Sequence, residues 1–116
     1  KLIFSQRNPD NKYGHANIEK NKNYSVQGAI WKLSKEHEKT LDEYEAVNYN
    51  PPYYYKEYLL WRKKKVLVYI QKIYTKRKPS SSYLHTILEG YKDCNLDINY
   101  LKKRISNYTL NYKVHW

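Results

Sequence analysis

The stretch VQGAIWKLSKEHEKTLDEYEAV, residues 26–47, decides the fold prediction. Together with the two residues before it, its first part predicts a strand over Tyr24–Leu33. β-Branched and aromatic residues, which favour strands, lie on both sides of Gly28. A glycine inside a strand often marks close approach by a ligand or another backbone. Ser34 then offers a helix N-cap, and Lys35–Glu45 follows with helical periodicity. The inner stripe of that helix is predicted to contain His37, Leu41 and Tyr44.

Shorter elements are predicted on both sides of this stretch. Upstream lie strands at Lys1–Gln6 and Gly14–Glu19. Downstream, the predicted elements are the hairpin strands Tyr53–Trp61 and Val66–Tyr74 with a polar turn at Arg62–Lys65, a helix at Ser81–Tyr91, and a final helix capped by Asp97. Strands followed by helices predict an α+β fold with a small mixed β-sheet or barrel, in one domain spanning residues 1–116.

Composition restricts the classes of protein that the chain can represent. The 116 residues suit one domain, and 15 tyrosines supply much of the apolar content. Cys94 is the only cysteine, so an internal disulfide is excluded and a reducing, cytoplasmic location is expected. No apolar run approaches the roughly 20 residues that span a bilayer. The chain begins at Lys1 and has no methionine, so it is expected to be either a processed chain or a fragment whose upstream segment is missing.

Positive charge is concentrated in the second half of the chain. The formal net charge is +11, and residues 62–116 contain 13 basic and 3 acidic side chains. Three basic clusters, Arg62–Lys65, Lys76–Lys78 and Lys102–Arg104, alternate with tyrosines. This pattern can bind single-stranded nucleic acid through charge and stacking. Two clusters fall in predicted turns, where solvated charge is ordinary, so nucleic acid is an alternative partner rather than the main expectation.

Several motifs, taken in order, resemble the γ-glutamyl cyclotransferase family. Residues 26–31 match V-x-G-x-x-W, and residues 41–47 are similar to the family's L-D-x-x-E-G-V. Gly14–Ile18 resembles the preceding family strand, and the hairpin has the right place and length. The run Pro79–Tyr83, followed by Ile87 and Gly90, is similar to the start of the family's late helix. The resemblance covers the chain from about Leu2 to about Ile105.

The chain departs from the family pattern at two places. Ala46 stands where the family has glycine, which matters if the turn requires a positive φ. Family members also begin with a strand and a Tyr-Gly-Ser-Asn-like loop that holds the γ-glutamyl group. Nothing before Lys1 supplies that loop, so the domain is expected to lack its N-terminal strand and substrate loop.

The resemblance implies a reaction that needs no cofactor. The substrate's α-amine attacks its own γ-carbonyl, and 5-oxoproline and a free amine or amino acid are released. It implies Glu45 as the catalytic acid–base residue, Tyr83 as a substrate-binding hydroxyl and Gly28 as a substrate-binding position. The γ-glutamyl substrate is then a small molecule, as in glutathione metabolism. The alternatives are a non-catalytic or truncated member of the same fold, or a basic nucleic-acid-binding module.

The other chemically active side chains carry no site prediction. Asp42 and Glu43 are predicted to form a solvated helix face. His15 and His37 lack the spacing of a metal site or a catalytic triad. Cys94 has no histidine or basic neighbour pattern that would activate it, so a structural role is predicted. The sequence contains no phosphate-binding glycine loop, paired CxxC or HExxH motif.

Overall fold

A computed structural model describes all 116 residues and shows an α+β protein, as predicted, with two antiparallel sheets and no closed barrel. The elements are β1 (Leu2–Gln6), β2 (His15–Ile18), α1 (Lys35–Tyr44), β3 (Tyr55–Trp61), β4 (Lys64–Ile70), β5 (Thr75–Lys76), α2 (Ser81–Asp93) and α3 (Ile98–Ile105). The chain divides into two compact units. Unit 1 comprises Lys1–Ala29 and Tyr74–Trp116, and unit 2 comprises Ile30–Ile73. The prediction of one domain stays a prediction.

Unit 1 is built around β1, the central strand of the sheet β2-β1-β5. All five residues of β1 are buried. Phe4 is opposite Ala16 in β2, and the two-residue strand β5 pairs only with Ser5 and Gln6. The half of β1 that lacks a β5 partner therefore has backbone groups that need other hydrogen-bond partners.

Tyrosine hydroxyls supply those partners. The Leu2 amide donates to the Tyr100 hydroxyl at 3.0 Å, and the Phe4 amide donates to the Tyr108 hydroxyl at 2.7 Å. Tyr108 in turn donates to the Phe4 carbonyl at 2.9 Å. Tyrosine suits this position because its ring packs on the core while its hydroxyl satisfies a buried polar group.

Helices α2 and α3 complete the core of unit 1. The core cluster consists of Leu2, Phe4, Leu84, Leu88, Tyr91, Leu101 and Ile105. Each helix has an N-cap side chain. Ser80 accepts a hydrogen bond from the Tyr83 amide, and Asp97 accepts one from the Asn99 amide. The buried residues of α2 are Leu84, Leu88 and Tyr91, and the helix continues two residues beyond the predicted end at Tyr91.

Unit 2 contains α1 and the hairpin β3–β4. Ser34 caps α1 as predicted, accepting from the His37 amide. The turn between β3 and β4 is tighter than predicted, because Trp61 pairs with Lys64 and only Arg62 and Lys63 lie between them. Both turn residues have positive φ, 48° and 65°, as a two-residue hairpin with right-handed strand twist requires.

The predicted strand Tyr24–Leu33 is wrong. This stretch has no regular secondary structure, and it pairs with no strand. Trp31 is 75% exposed, and Val26 alone in the stretch is half-buried. A strand needs a partner for its amides and carbonyls, and β-favouring side chains cannot provide one.

None of the helices has the length and apolar character needed to cross a membrane.

Candidate functional site

The sheltered face of α1 is acidic rather than aromatic. Glu38, Leu41, Asp42 and Glu45 are half-buried, at the spacing that places side chains on one helix face. The predicted stripe was wrong at two of its three positions, because His37 and Tyr44 are exposed. The solvated face predicted for Asp42 and Glu43 holds only for Glu43.

Lys56 and Tyr69 of the hairpin engage two of the three carboxylates on this face. The Lys56 ammonium forms ion pairs with Glu38 and, at 3.1 Å, with Asp42. The Tyr69 hydroxyl donates to the other Asp42 oxygen at 2.7 Å. The hydrogen bond from Tyr69, together with Lys56, lowers the pKa of Asp42. The sequence signal for this cluster was the pair of acids four residues apart on one helix.

Glu45, the third carboxylate, has no such partner. Its side chain makes no ion pair or hydrogen bond with the protein, although the residue is half-buried. Burial raises the pKa of Glu45 above the ordinary value of 4.5, because desolvation disfavours the charged form. A carboxylate without a hydrogen-bond partner and with a raised pKa takes up a proton more readily than an ordinary glutamate and can return it.

The backbone around Glu45 forms a tight helix stop. Glu45 is the C-cap of α1, and Ala46 follows with a φ of 52°. The Val47 amide donates to the Asp42 carbonyl at 3.2 Å, and the Ala46 amide donates to the Glu43 carbonyl at 3.1 Å. These two bonds define a Schellman motif, in which glycine is the usual residue at the position of Ala46. The turn therefore does require a positive φ at Ala46.

Tyr83 lies in unit 1, near the start of α2. Its hydroxyl accepts a hydrogen bond from the Ala16 amide of β2 at 3.0 Å. Its ring makes an edge contact with His15, with the centroids 5.0 Å apart. Burial lowers the pKa of His15, which favours the neutral imidazole there. These contacts join α2 to β2, so Tyr83 has a structural task in the sheet of unit 1.

Gly28 also lies in unit 1, outside any strand. No other part of the protein approaches it, because a Cβ built there would meet nothing within 4 Å, and its predicted contact with substrate stays a prediction. The close approach occurs at Gly14 instead, where a Cβ would lie 2.4 Å from the Arg77 carbonyl oxygen. Sequence reasoning missed Gly14 because its neighbour is 63 residues away along the chain. Glu45 belongs to unit 2, whereas Tyr83 and Gly28 belong to unit 1.

No group of three or more His, Cys, Asp or Glu side chains is arranged to hold a metal ion. Cys94 is a free, exposed thiol at the C-cap of α2. Comparison of the chain with protein-family models, curated proteins and solved structures finds no match. The resemblance to γ-glutamyl cyclotransferases therefore depends on the sequence motifs alone.

Proposed function

We propose that the protein catalyses a γ-glutamyl cyclotransferase reaction, with Glu45 as the acid–base residue. The α-amine of a γ-glutamyl substrate attacks its own γ-carbonyl carbon, which closes the five-membered ring of 5-oxoproline. The bond between that carbon and the leaving nitrogen breaks. Glu45 takes a proton from the attacking amine and returns it to the leaving nitrogen, so the enzyme is unchanged after each turnover.

The observation that carries this proposal is the state of the Glu45 carboxylate. Glu38 and Asp42 lie on the same helix face but are held by Lys56, whereas Glu45 makes no side-chain bond and its pKa is raised. A proton carrier must release its proton as easily as it accepts one. A carboxylate whose pKa is lowered by an ammonium would be a poor base for that purpose.

The conformation of Ala46 also supports the resemblance. The φ of 52° is the left-handed conformation that glycine adopts readily, and the resembling family has glycine at this position. The same turn can therefore form here with alanine, at a cost of about 1–2 kcal/mol. Glu45 keeps its place at the helix stop despite the substitution.

A non-catalytic relative of the same fold is the second candidate. Two observations favour it: the Tyr83 hydroxyl is hydrogen-bonded to the backbone of β2, and Gly28 lies exposed outside a strand. If the protein only binds a γ-glutamyl compound, ligand will bind without 5-oxoproline release. Glu45→Gln will then change the affinity for the ligand, and neither wild type nor variant will release 5-oxoproline.

A rate measurement with a matched pair of variants tests the proposal. 5-Oxoproline release from a γ-glutamyl amino acid is measured for the protein translated from its whole gene, for Glu45→Gln and for Glu43→Gln. Glu43 is the exposed neighbour two residues earlier, and the chemical change is identical. We expect kcat to fall by about 10²–10⁴ for Glu45→Gln and to stay within about twofold for Glu43→Gln. Equal rates for wild type and Glu45→Gln would remove Glu45 from the mechanism.

We also propose the cytoplasm as the working compartment, because the only thiol, Cys94, is exposed and unpaired. Cell fractionation that recovers the protein from the secretory pathway would contradict this location.

A further inference from the structure

Unit 1 contains a cavity of about 570 Å³ whose lining is strongly basic. The start of β1, the segment around β5 and the end of α3 contribute to it. Six of its lining residues carry cationic side chains, and none is acidic: Lys1, Lys12, Lys76, Arg77, Lys78 and Arg104. Binding cavities for small molecules typically measure about 300–1,000 Å³, so this one has the size of a ligand site.

Arg104 is the charged lining residue whose side chain is buried. The residue is only 9% exposed, and two of its nitrogens, Nε and Nη1, are buried without a hydrogen-bond partner. Its guanidinium lies 4.6 Å from the ring centre of Tyr24 and 5.3 Å from that of Tyr100. The Tyr24 side chain also forms a hydrogen bond with Arg104, whereas Nε and Nη1 have no such partner. A buried charge with unsatisfied donors destabilises a fold unless an anion compensates it.

The protein itself supplies little compensation to the cavity. Lys76 is 3.8 Å from a Glu19 carboxylate oxygen, and the other five cationic side chains form no ion pair with a carboxylate. Unit 1 has 13 basic and 5 acidic side chains, so its overall charge also attracts anions. The cavity can therefore attract an anion from solution.

We propose that this cavity binds a small polyphosphate, meaning a compound with two or more linked phosphate groups. Phosphate oxygens would accept hydrogen bonds from Arg104 and from the lysines, and several linked phosphates match six cations better than one does. This site is separate from the cyclotransferase proposal and does not depend on it. The ligand would satisfy the two unpartnered nitrogens that the folded chain leaves buried.

The structure favours a small polyphosphate over single-stranded nucleic acid. Binding of single strands depends on aromatic faces on which bases stack. Two tyrosine faces beside Arg104 are already used, because Lys1 and Arg104 both lie over Tyr24 and Arg104 lies over Tyr100. The Tyr108 hydroxyl, also at the cavity, is bonded to the backbone of Phe4.

Calorimetric titration with inorganic tripolyphosphate, in a buffer containing sodium chloride, tests the site. The first variant replaces Lys76, Arg77 and Lys78 by glutamine. The matched control replaces Lys63 of the hairpin turn and Lys64 and Lys65 at the start of β4 by glutamine, which removes the same charge from unit 2. We expect the first variant to bind at least about tenfold more weakly than wild type and the control to bind within about threefold of it.

Arg104→Gln separates ligand binding from folding. Because this change removes a buried and unpartnered charge, we expect the thermal unfolding temperature without ligand to stay level or rise. The increase in that temperature with tripolyphosphate, clear in wild type, should be lost. A variant that unfolds at lower temperature but keeps the full ligand-induced increase would overturn the assignment of Arg104.

Two further results would overturn the proposal as a whole. Equal weakening by the two triple variants would mean that tripolyphosphate responds only to net charge. Binding of single-stranded DNA that tripolyphosphate cannot displace, in a protein that shows no calorimetric signal with tripolyphosphate alone, would replace the small ligand by nucleic acid. Displacement of a weakly bound DNA strand by tripolyphosphate would support the cavity as the site.

Discussion

Unit 1 and unit 2 differ in what they bury. The core cluster, which includes Phe4, Leu84 and Leu101, lies entirely in unit 1. In unit 2 the only buried hydrophobic residue is Ala46, and ten of the twelve exposed large hydrophobic side chains belong to that unit. Unit 2 instead depends on the hairpin ladder and on the cluster formed by Lys56 with Glu38 and Asp42.

This difference indicates where each unit gets its stability. Burial of apolar surface contributes about 25 cal/mol per Å², so unit 1 has the larger hydrophobic stabilisation. A two-stranded hairpin is marginal by itself in water, and exposed ion pairs add little. Unit 2 is therefore expected to open locally more often than unit 1. The proposed catalytic residue Glu45 lies in the unit with the smaller core.

A leucine-to-alanine substitution in each unit should give the largest difference in the free energy of unfolding. Leu84 is 1% exposed in unit 1, and Leu60 is 81% exposed in unit 2. We expect Leu84→Ala to lower the free energy of unfolding by about 2–5 kcal/mol, because it leaves a cavity in the core. Leu60→Ala should change it by less than about 0.5 kcal/mol. Urea unfolding followed by circular dichroism measures both, and similar losses would contradict the comparison.

A second pair of substitutions, at two glycines of unit 1, compares a crowded backbone position with an open one. Gly14→Ala places a methyl group against the Arg77 carbonyl, whereas Gly28→Ala enters open space just before unit 2. The crowded substitution should cost about 1–3 kcal/mol, since backbone must shift to admit it. Gly28→Ala should change the unfolding midpoint little. A strong loss at Gly28 would show that the stretch before unit 2 packs more tightly than described.

The smallest expected change in stability is at the residue that follows one helix in each unit. Ala46 after α1 and Asn95 after α2 both have positive φ, 52° and 54°. Ala46→Gly relieves the strain of alanine but loses a buried methyl, so we expect a gain below about 1 kcal/mol. Asn95→Gly should change stability by less than about 0.5 kcal/mol, because asparagine tolerates this conformation. Thermal melts of both variants measure the difference, and a loss at Ala46 would contradict the strain argument.

The sequence predicted the local features of the fold well. Ser34 and Asp97 accept the capping hydrogen bonds expected of them, and the hairpin lies in the predicted part of the chain. These features depend on neighbours only a few residues apart, which a sequence shows directly.

Features that depend on distant partners could not be predicted in the same way. The stretch Tyr24–Leu33 has strand-like side chains but no strand beside it. Gly14, rather than Gly28, meets another backbone. Arg104 belongs to the basic cluster in the predicted final helix, and its burial against Tyr24 and Tyr100 was not predicted. At the candidate site, Glu45 was identified by the family resemblance, while the pairing of Asp42 with Tyr69 was missed.

The raised pKa of Glu45 has a defined effect on stability. The folded state keeps the Glu45 proton to a higher pH than the unfolded state does. The stability of unit 2 should therefore fall as pH rises from 4.5 through the folded-state pKa, and Glu45→Gln should abolish that decline. Asp42 acts in the opposite sense: its lowered pKa gives a stabilisation that is present above the unfolded value of 3.8 and is lost as pH falls through the folded value.

An NMR titration of the carboxyl carbons, with Glu45 assigned through Glu45→Gln, measures the state of this carboxylate directly. We expect a midpoint for Glu45 above 4.5 and, in the same spectra, a midpoint for Asp42 below 3.8. A Glu45 midpoint at or below 4.5 would contradict the central claim, because the carboxylate would then be solvated and no better suited to proton transfer than any surface glutamate.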